Sequence, residues 1–194
     1  GNLWSFTTQA YRLIDGFESY TDDIDAGQAV FDTWLDGWVN NTGSTVGYLE
    51  APFAERTIVH SGRQSMPLQY DNSVSPFYSE TERTFDSPQD WTVGGADSLR
   101  LYFRGNAANA AQTPYVALED NAGHVATVSH ADPESVRAVE WQLWPIPLSQ
   151  FAGVDLSRVQ TMYIGLGHRT APTAGGSGLI YIDDIGFGRL ATAP

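Results

Sequence analysis

Apolar and polar residues alternate with a period of two along most of the chain, and helical periodicity is scarce. The runs TIVH, SMPLQYD, FYSETERTF, SLRLYFRG, PYVALED, HVATVSH, VEWQLWPIPL, RVQTMYIGLG and GLIYIDDIGFG are apolar or alternating, each bounded by turn residues. With AYRLIDGFESY at the front, about ten strands are expected. The clearest hairpin is YVALEDNAGHVATVSH, where Asp120-Asn121-Ala122-Gly123 supplies turn chemistry between two alternating strands. Helix signals are confined to TDDIDAGQAVFDTWLDGW, with Asp22 or Asp23 as cap, and to one turn at DPESV, where Pro133 suits the first helical position. The pattern predicts an all-β fold, a two-sheet antiparallel β-sandwich with very little helix. Long connections at 34–56, 104–113 and 168–178 are the expected carriers of specificity, because loops on a rigid sandwich hold function.

Length and composition fit that picture. A chain of 194 residues accommodates one large domain, here 11–190, with residues 1–10 as a linker or remnant of a preceding domain and 191–194 as a tail. Six Trp, nine Tyr and nine Phe are ample for a packed core. No window has the apolar length of a membrane span. The opening GNLWSFTT has no basic and apolar leader, so the chain reads as a piece excised from a longer protein. All ten basic residues are Arg, and the net charge is −13. That charge repels phosphate backbones, anionic membranes and polyanionic glycans, which leaves nucleic acid and membrane out as partners. The absence of cysteine excludes disulfides, thiol catalysis and zinc–thiolate sites, and makes a bound calcium one candidate source of stability.

Several segments, in order, resemble the calcium-containing jelly-roll carbohydrate-binding modules appended to bacterial polysaccharide-degrading enzymes. LIDGFESY resembles their opening D-x-F-E strand, and HSGRQSMPLQYDN their G-x-x-S-hydrophobic strand. SLRLYFRG, VEWQLWPIPLSQFAG and LIYIDDIGF resemble three later strands of the same fold. The order and spacing over residues 11–188 carry the resemblance; each piece alone is short and mostly core pattern. GNLWSFTT resembles the last strand of a fibronectin type III-like domain, and equally reads as an ordinary first strand. The resemblance implies a galactose-binding-like sandwich, secreted or on the cell surface, covalently linked to catalytic or fibronectin-like domains, with a polysaccharide or oligosaccharide as partner.

It also implies a structural calcium ion where the first and last strands approach. Carried over by position, the ligands are Glu18 and Asp183, with backbone carbonyls of the SGRQS turn, and Asp15, Asp22, Asp23 and Asp184 are lesser candidates. Calcium takes six to eight hard oxygen ligands, so carbonyls fill what carboxylates leave. The alternative is that Glu18 and Asp183 are surface groups or partners of loop amides. Successive strand residues point to opposite faces, so Asp184 is expected to need no more than solvent or a loop amide.

Sugar rings pack their C–H faces on indole and phenol rings. Trp34, Trp38, Tyr48, Tyr78 and Trp91 lie outside the inferred core strands, with Asp36, Asn40 and Asn41 near the WLDGW pair as polar partners. Arg104, His168 and Arg169 are further donors on other loops. Each aromatic has a packing alternative; of the pair Trp141 and Trp144, Trp141 is expected in the core. Glu80 and Glu82 share one strand face and read as a solvated surface rather than a glycosidase pair. The histidines lack metal-ligand spacing, and no G-x-S-x-G elbow is present. Three classes remain: a non-catalytic module holding a neutral plant-type polysaccharide such as a β-glucan or hemicellulose, a polysaccharide lyase or glycoside hydrolase on the same scaffold, and a structural or adhesive surface module.

Overall fold

The computed structural model describes residues 11–189. The fibronectin-like segment and the proposed linker and tail lie outside them. Among the described residues are ten strands and two four-residue helices. The larger sheet joins β2 (Ser44–Val46), β3 (Met66–Asp71), β10 (Ser177–Gly188), β5 (Ser98–Arg104) and β8 (Gln142–Pro147) in that order. The last strand is long enough to pair with β1 (Arg12–Asp15) through residues 185–187 and with β3 through residues 177–182. The smaller sheet runs β4 (Ser79–Gln89), β9 (Val159–Leu166), β6 (Pro114–Asp120), β7 (Val125–Ser129). Every pairing is antiparallel, and β6, β9 and β10 are buried along most of their length.

Alternation sorts the side chains. Met66, Leu68, Leu101, Phe103, Trp144, Ile146, Ile180 and Ile182 from the larger sheet share one core with Val116, Leu118, Val128, Met162, Ile164 and Leu166 from the smaller. Trp144 is therefore the core tryptophan of its strand; Trp141, expected inside, lies just before β8 and is only half-buried. The β6–β7 hairpin forms as expected, and the Asp120 carboxylate accepts from the amides of Ala122 and His124 in its turn and from Asp155 across the loop.

Two expectations fail in local detail. TIVH forms no strand, and β2, only three residues long, was not anticipated. The amides that a sheet neighbour would have satisfied are taken by carboxylates: Glu55 accepts from Thr57 and Ile58, and Asp183 from His60. The helical stretch breaks into α1 (Val30–Thr33) and α2 (Gly37–Asn40). The second helix is capped by Asp36, whose carboxylate accepts from Trp38, rather than by Asp22 or Asp23. At DPESV a 3-10 turn spans Pro133–Arg137, with Asp132 accepting from Glu134.

One carboxylate holds the side of the sandwich together. Asp15, at the end of β1, is buried and accepts four hydrogen bonds: from the Phe17 amide (2.7 Å), the Tyr20 hydroxyl (2.6 Å), the Trp34 indole (2.9 Å) and Arg83 of β4 (2.6 Å). Arg83 also donates to the Ile14 carbonyl and lies over the rings of Trp34 and Phe85. The pair thus ties the edge of one sheet to the edge of the other. Removing one member of a buried pair strands the other, so Asp15→Ala is expected to lower the unfolding free energy by about 3 kcal/mol. Urea denaturation checks this, and a loss under about 1 kcal/mol would mean the pair behaves as an exposed one.

Candidate carbohydrate-binding face and carboxylate clasp

The outer face of the smaller sheet follows from strand register. Glu80 pairs with Gly165 and Gly165 with Tyr115; one step along, Glu82, Tyr163 and Ala117 align. A side chain at position 165 would collide with the Tyr115 ring, so its glycine lets that ring cross β9. The Tyr115 hydroxyl thereby donates to Glu80 on β4 at 2.7 Å. From the 167–176 loop, Arg169 reaches the same Glu80 carboxylate at 3.2 Å and lies 4.1 Å over the Tyr163 ring. Tyr163 in turn donates to Glu119 at 2.6 Å. A cavity of about 200 Å³ opens beside this group, lined by Tyr115, Thr127, Ser129, His168, Arg169 and Thr170.

Glu80 is therefore buried rather than solvated, contrary to the surface reading of the Glu80 and Glu82 pair. Burial pushes its carboxyl above the ordinary range, opposed by the Tyr115 hydrogen bond and by Arg169 and reinforced by Glu82. Glu82 is shifted the same way, first by burial and then by Glu119, against the pull of Arg169. Burial would lower the Arg169 guanidinium, but Glu80 and Tyr163 outweigh it and hold it charged. Its Nη1 is enclosed within this cluster, out of contact with solvent.

The candidate ligand-binding residues separate into four places. Tyr78, His168 and Arg169 meet at this face: Tyr78 is half-buried close to Glu80 and Arg169, and His168 is exposed on the cavity wall. Trp38, Tyr48 and Asp36 line a second, apolar cavity beside α2. Arg104 is on the opposite sheet, donating to the Val139 carbonyl. The remainder hold the fold. Trp34 has no exposed surface and its indole is committed to Asp15, and Trp91 is buried in a stack on Phe187 at 5.3 Å, so neither is a platform. Asn40 donates to the Glu80 carbonyl at 3.0 Å and accepts from Thr42, and Asn41 takes the left-handed position that ends α2. Tyr115, Tyr163 and Glu119 escaped sequence reasoning, which weighed Glu80 only as a solvated surface group; the glycine inside RVQTMYIGLG was the one local sign of a close approach.

Near the two ends of the described residues, Glu18 and Asp183 grip one turn. Glu18 accepts from the amides of Arg63 (2.8 Å) and Gln64 (3.1 Å), and Asp183 from those of His60 (2.9 Å) and Ser61 (3.2 Å). Asp184 joins them instead of pointing away. The pairing of β10 with β5 slips between Asp183 and Gly186, and Asp184 has φ of 48°. Its carboxylate meets His60 Nδ1 at 2.6 Å and the Ser61 hydroxyl at 2.9 Å. The lesser candidates are otherwise engaged: Asp15 as above, Asp22 with Arg56, and Asp23 with the Ala26 amide. Among the described residues, no three His, Cys, Asp or Glu side chains form a metal-holding group.

No protein-family model matches the chain, and a comparison with curated proteins finds no match. Solved structures do match. The family 11 carbohydrate-binding module of the cellulosomal cellulase Lic26A-Cel5E of Clostridium thermocellum aligns over 97% of this chain and 100% of its own, at 14% identity and a TM-score of 0.56. A family 30 carbohydrate-binding module aligns over 73% of this chain and 76% of its own, at 15% identity and a TM-score of 0.51. An exo-β-agarase matches over 83% of this chain but 23% of its own, at 14% identity and a TM-score of 0.55. At such identities the likeness is one of fold: the chain has the β-sandwich of carbohydrate-binding modules.

The raised Glu80 carboxyl generates a pH signature. A carboxyl with a folded pKa above its unfolded value adds stability fully present below the unfolded value and lost as pH rises through the folded one. The stability of wild type relative to Glu80→Gln should therefore be greatest below about pH 4.3 and decline above it. Paired thermal melts across that range check the trend; a difference that grows with pH would contradict it.

Proposed function

We propose that the chain is a non-catalytic carbohydrate-binding module that holds a neutral polysaccharide, a β-glucan or hemicellulose, against the outer face of its smaller sheet. The observation that carries this reading is Arg169, anchored by Glu80 and Tyr163 and lining a small cavity with Tyr115, Thr127, Ser129 and Thr170. Hydroxyl groups of a sugar are suitable partners for the accessible part of that side chain and for the cavity's own hydroxyls, and Tyr78 and His168 flank the same place. Three carboxylates, Glu80, Glu82 and Glu119, share the face with that single arginine, which favours a neutral ligand over an anionic one. A family 11 module from Clostridium thermocellum, 15% identical to this chain, has been solved with a β-1,3-1,4-mixed-linked tetrasaccharide, which supports a β-glucan as the first ligand to test. Glu80 is enclosed by Tyr115 and Arg169, a poor placement for a catalytic acid. The module would act outside the cell, concentrating an attached catalytic domain on its substrate, with modest single contacts raised by multivalency. Among the described residues no helix is long and apolar enough to cross a membrane.

Affinity electrophoresis in gels containing mixed-linkage β-1,3-1,4-glucan tests the reading, with reducing-sugar release followed in parallel. Retardation without sugar release is expected, and Arg169→Ala should weaken it by about ten-fold or more, the worth of one charge-assisted hydrogen bond. Release of sugar would make the chain an enzyme. Unchanged retardation in Arg169→Ala would move the site elsewhere.

The same reading includes a structural calcium at the 60–64 turn. Glu18 and Asp183 converge on that turn, and acceptor capacity remains: Asp183 Oδ1 takes one amide, from Asp184, and Glu18 Oε2 only Arg63 at 3.3 Å. Turn carbonyls would complete a hard-oxygen shell around the ion, which would cross-link the ends of the domain. EDTA is then expected to lower the melting temperature of the wild type but not that of Asp183→Asn. Equal melting with and without EDTA, also after unfolding and refolding in chelator, would defeat the calcium proposal.

A further inference from the structure

A second cavity, of about 610 Å³, lies on the side of the sandwich between β2, at the edge of the larger sheet, and Leu35, which bridges to Glu82 at the edge of the smaller. Phe31 and Phe53 meet in it edge to face at 5.1 Å. Its rim carries four of the most exposed large apolar side chains among the described residues: Trp38 at 81%, Leu49 at 80%, Val39 at 60% and Ile24 at 55%. Apolar residues exposed singly are ordinary, but four around one cavity form a contact surface.

The lining disfavours a sugar. Asp36 spends both carboxylate oxygens on the amides of Trp38 and Val46, and the Tyr48 hydroxyl is given to Glu55. Asp32 and Thr45 are the remaining polar lining, too few for a ring of hydroxyls. A second copy is disfavoured by charge. Exposed Asp23 and Asp25 flank Ile24, exposed Glu50 follows Leu49, and exposed Asp32 stands in the wall, while the nearby Arg56 is paired with Asp22 at 2.6 Å. No Arg is among the described lining residues. Two such rims would repel each other.

We infer that this cavity docks a protein segment presenting large apolar side chains next to Lys or Arg. The apolar side chains fill the cavity around Trp38 and Leu49, and the basic ones meet the carboxylate rim. The surface is separate from Arg169 and the sugar face, so its occupation does not depend on glycan binding.

The test uses fluorescence anisotropy of the full chain with a labelled 14-residue amphipathic peptide of Leu and Lys. A Ser and Lys peptide of equal charge is the control. Saturable binding of the Leu peptide is expected, weakened about ten-fold or more by Trp38→Ser with Leu49→Ser. Asp25→Lys with Glu50→Lys leaves the packing untouched and should also weaken it, so the charge requirement stands independently of the apolar one. Equal binding of the two peptides, or binding indifferent to both double variants, overturns the inference. Loss of β-glucan retardation in the Trp38 and Leu49 variant would assign the cavity to sugar, and a dimer abolished by it would assign it to a second copy; either overturns the inference.

Discussion

The pair of buried Asp15 and half-buried Arg83 is the contact on which the side of this sandwich depends. A two-sheet fold has open flanks where edge strands leave polar groups unpaired. Here Asp15 reaches from the first strand to Arg83 on the opposite sheet, and in doing so satisfies Trp34, Tyr20 and the turn at Phe17. A carboxylate taken out of water needs this many partners to be tolerated. With the flank closed there, residues 35–46 are held along β4, where Leu35 bridges to Glu82 and both Asn40 and Thr42 donate to the Glu80 carbonyl. The strand that carries Glu80 and Glu82 is thus supported from behind and from its edge.

That support gives the outer face its character. Glu80 stays buried because Tyr115 reaches it over a glycine and Arg169 covers it from a loop. The guanidinium is then fixed between a carboxylate and an aromatic ring, which lowers the entropy lost when a ligand binds. Both contacts are spent on positioning. A flat, preorganised cation among carboxylates and tyrosines suits a neutral, hydroxyl-rich ligand.

The fold was largely legible because period-two alternation is a local signal. Nine of the expected strand runs lie on observed strands, and the Asp120 turn and the Pro133 turn formed where their residues indicated. Most of the failures involve partners that sequence spacing does not bring together. TIVH looked like a strand, but carboxylates of Glu55 and Asp183 took its amides. Trp34 and Trp38 looked alike in WLDGW, yet Asp15, 19 residues away in sequence, draws one indole into the core. Alternation put Asp184 opposite Asp183, and a bulge returned it to the same turn. Glu80 looked solvated because Tyr115, 35 residues on, and Arg169 are invisible from its neighbours. Spacing finds strands; only the register of three strands together finds the face.

On the proposed function, sugar meets the outer face of the smaller sheet. Amide chemical-shift mapping by NMR with a β-1,3-1,4-linked tetrasaccharide addresses it most directly. The expected shifts concentrate at residues 78–84, 115–119 and 161–170, with the Arg169 side chain among the largest. Shifts centred on Trp38 and Leu49 instead, or none with this or any other neutral glycan tried, would contradict it.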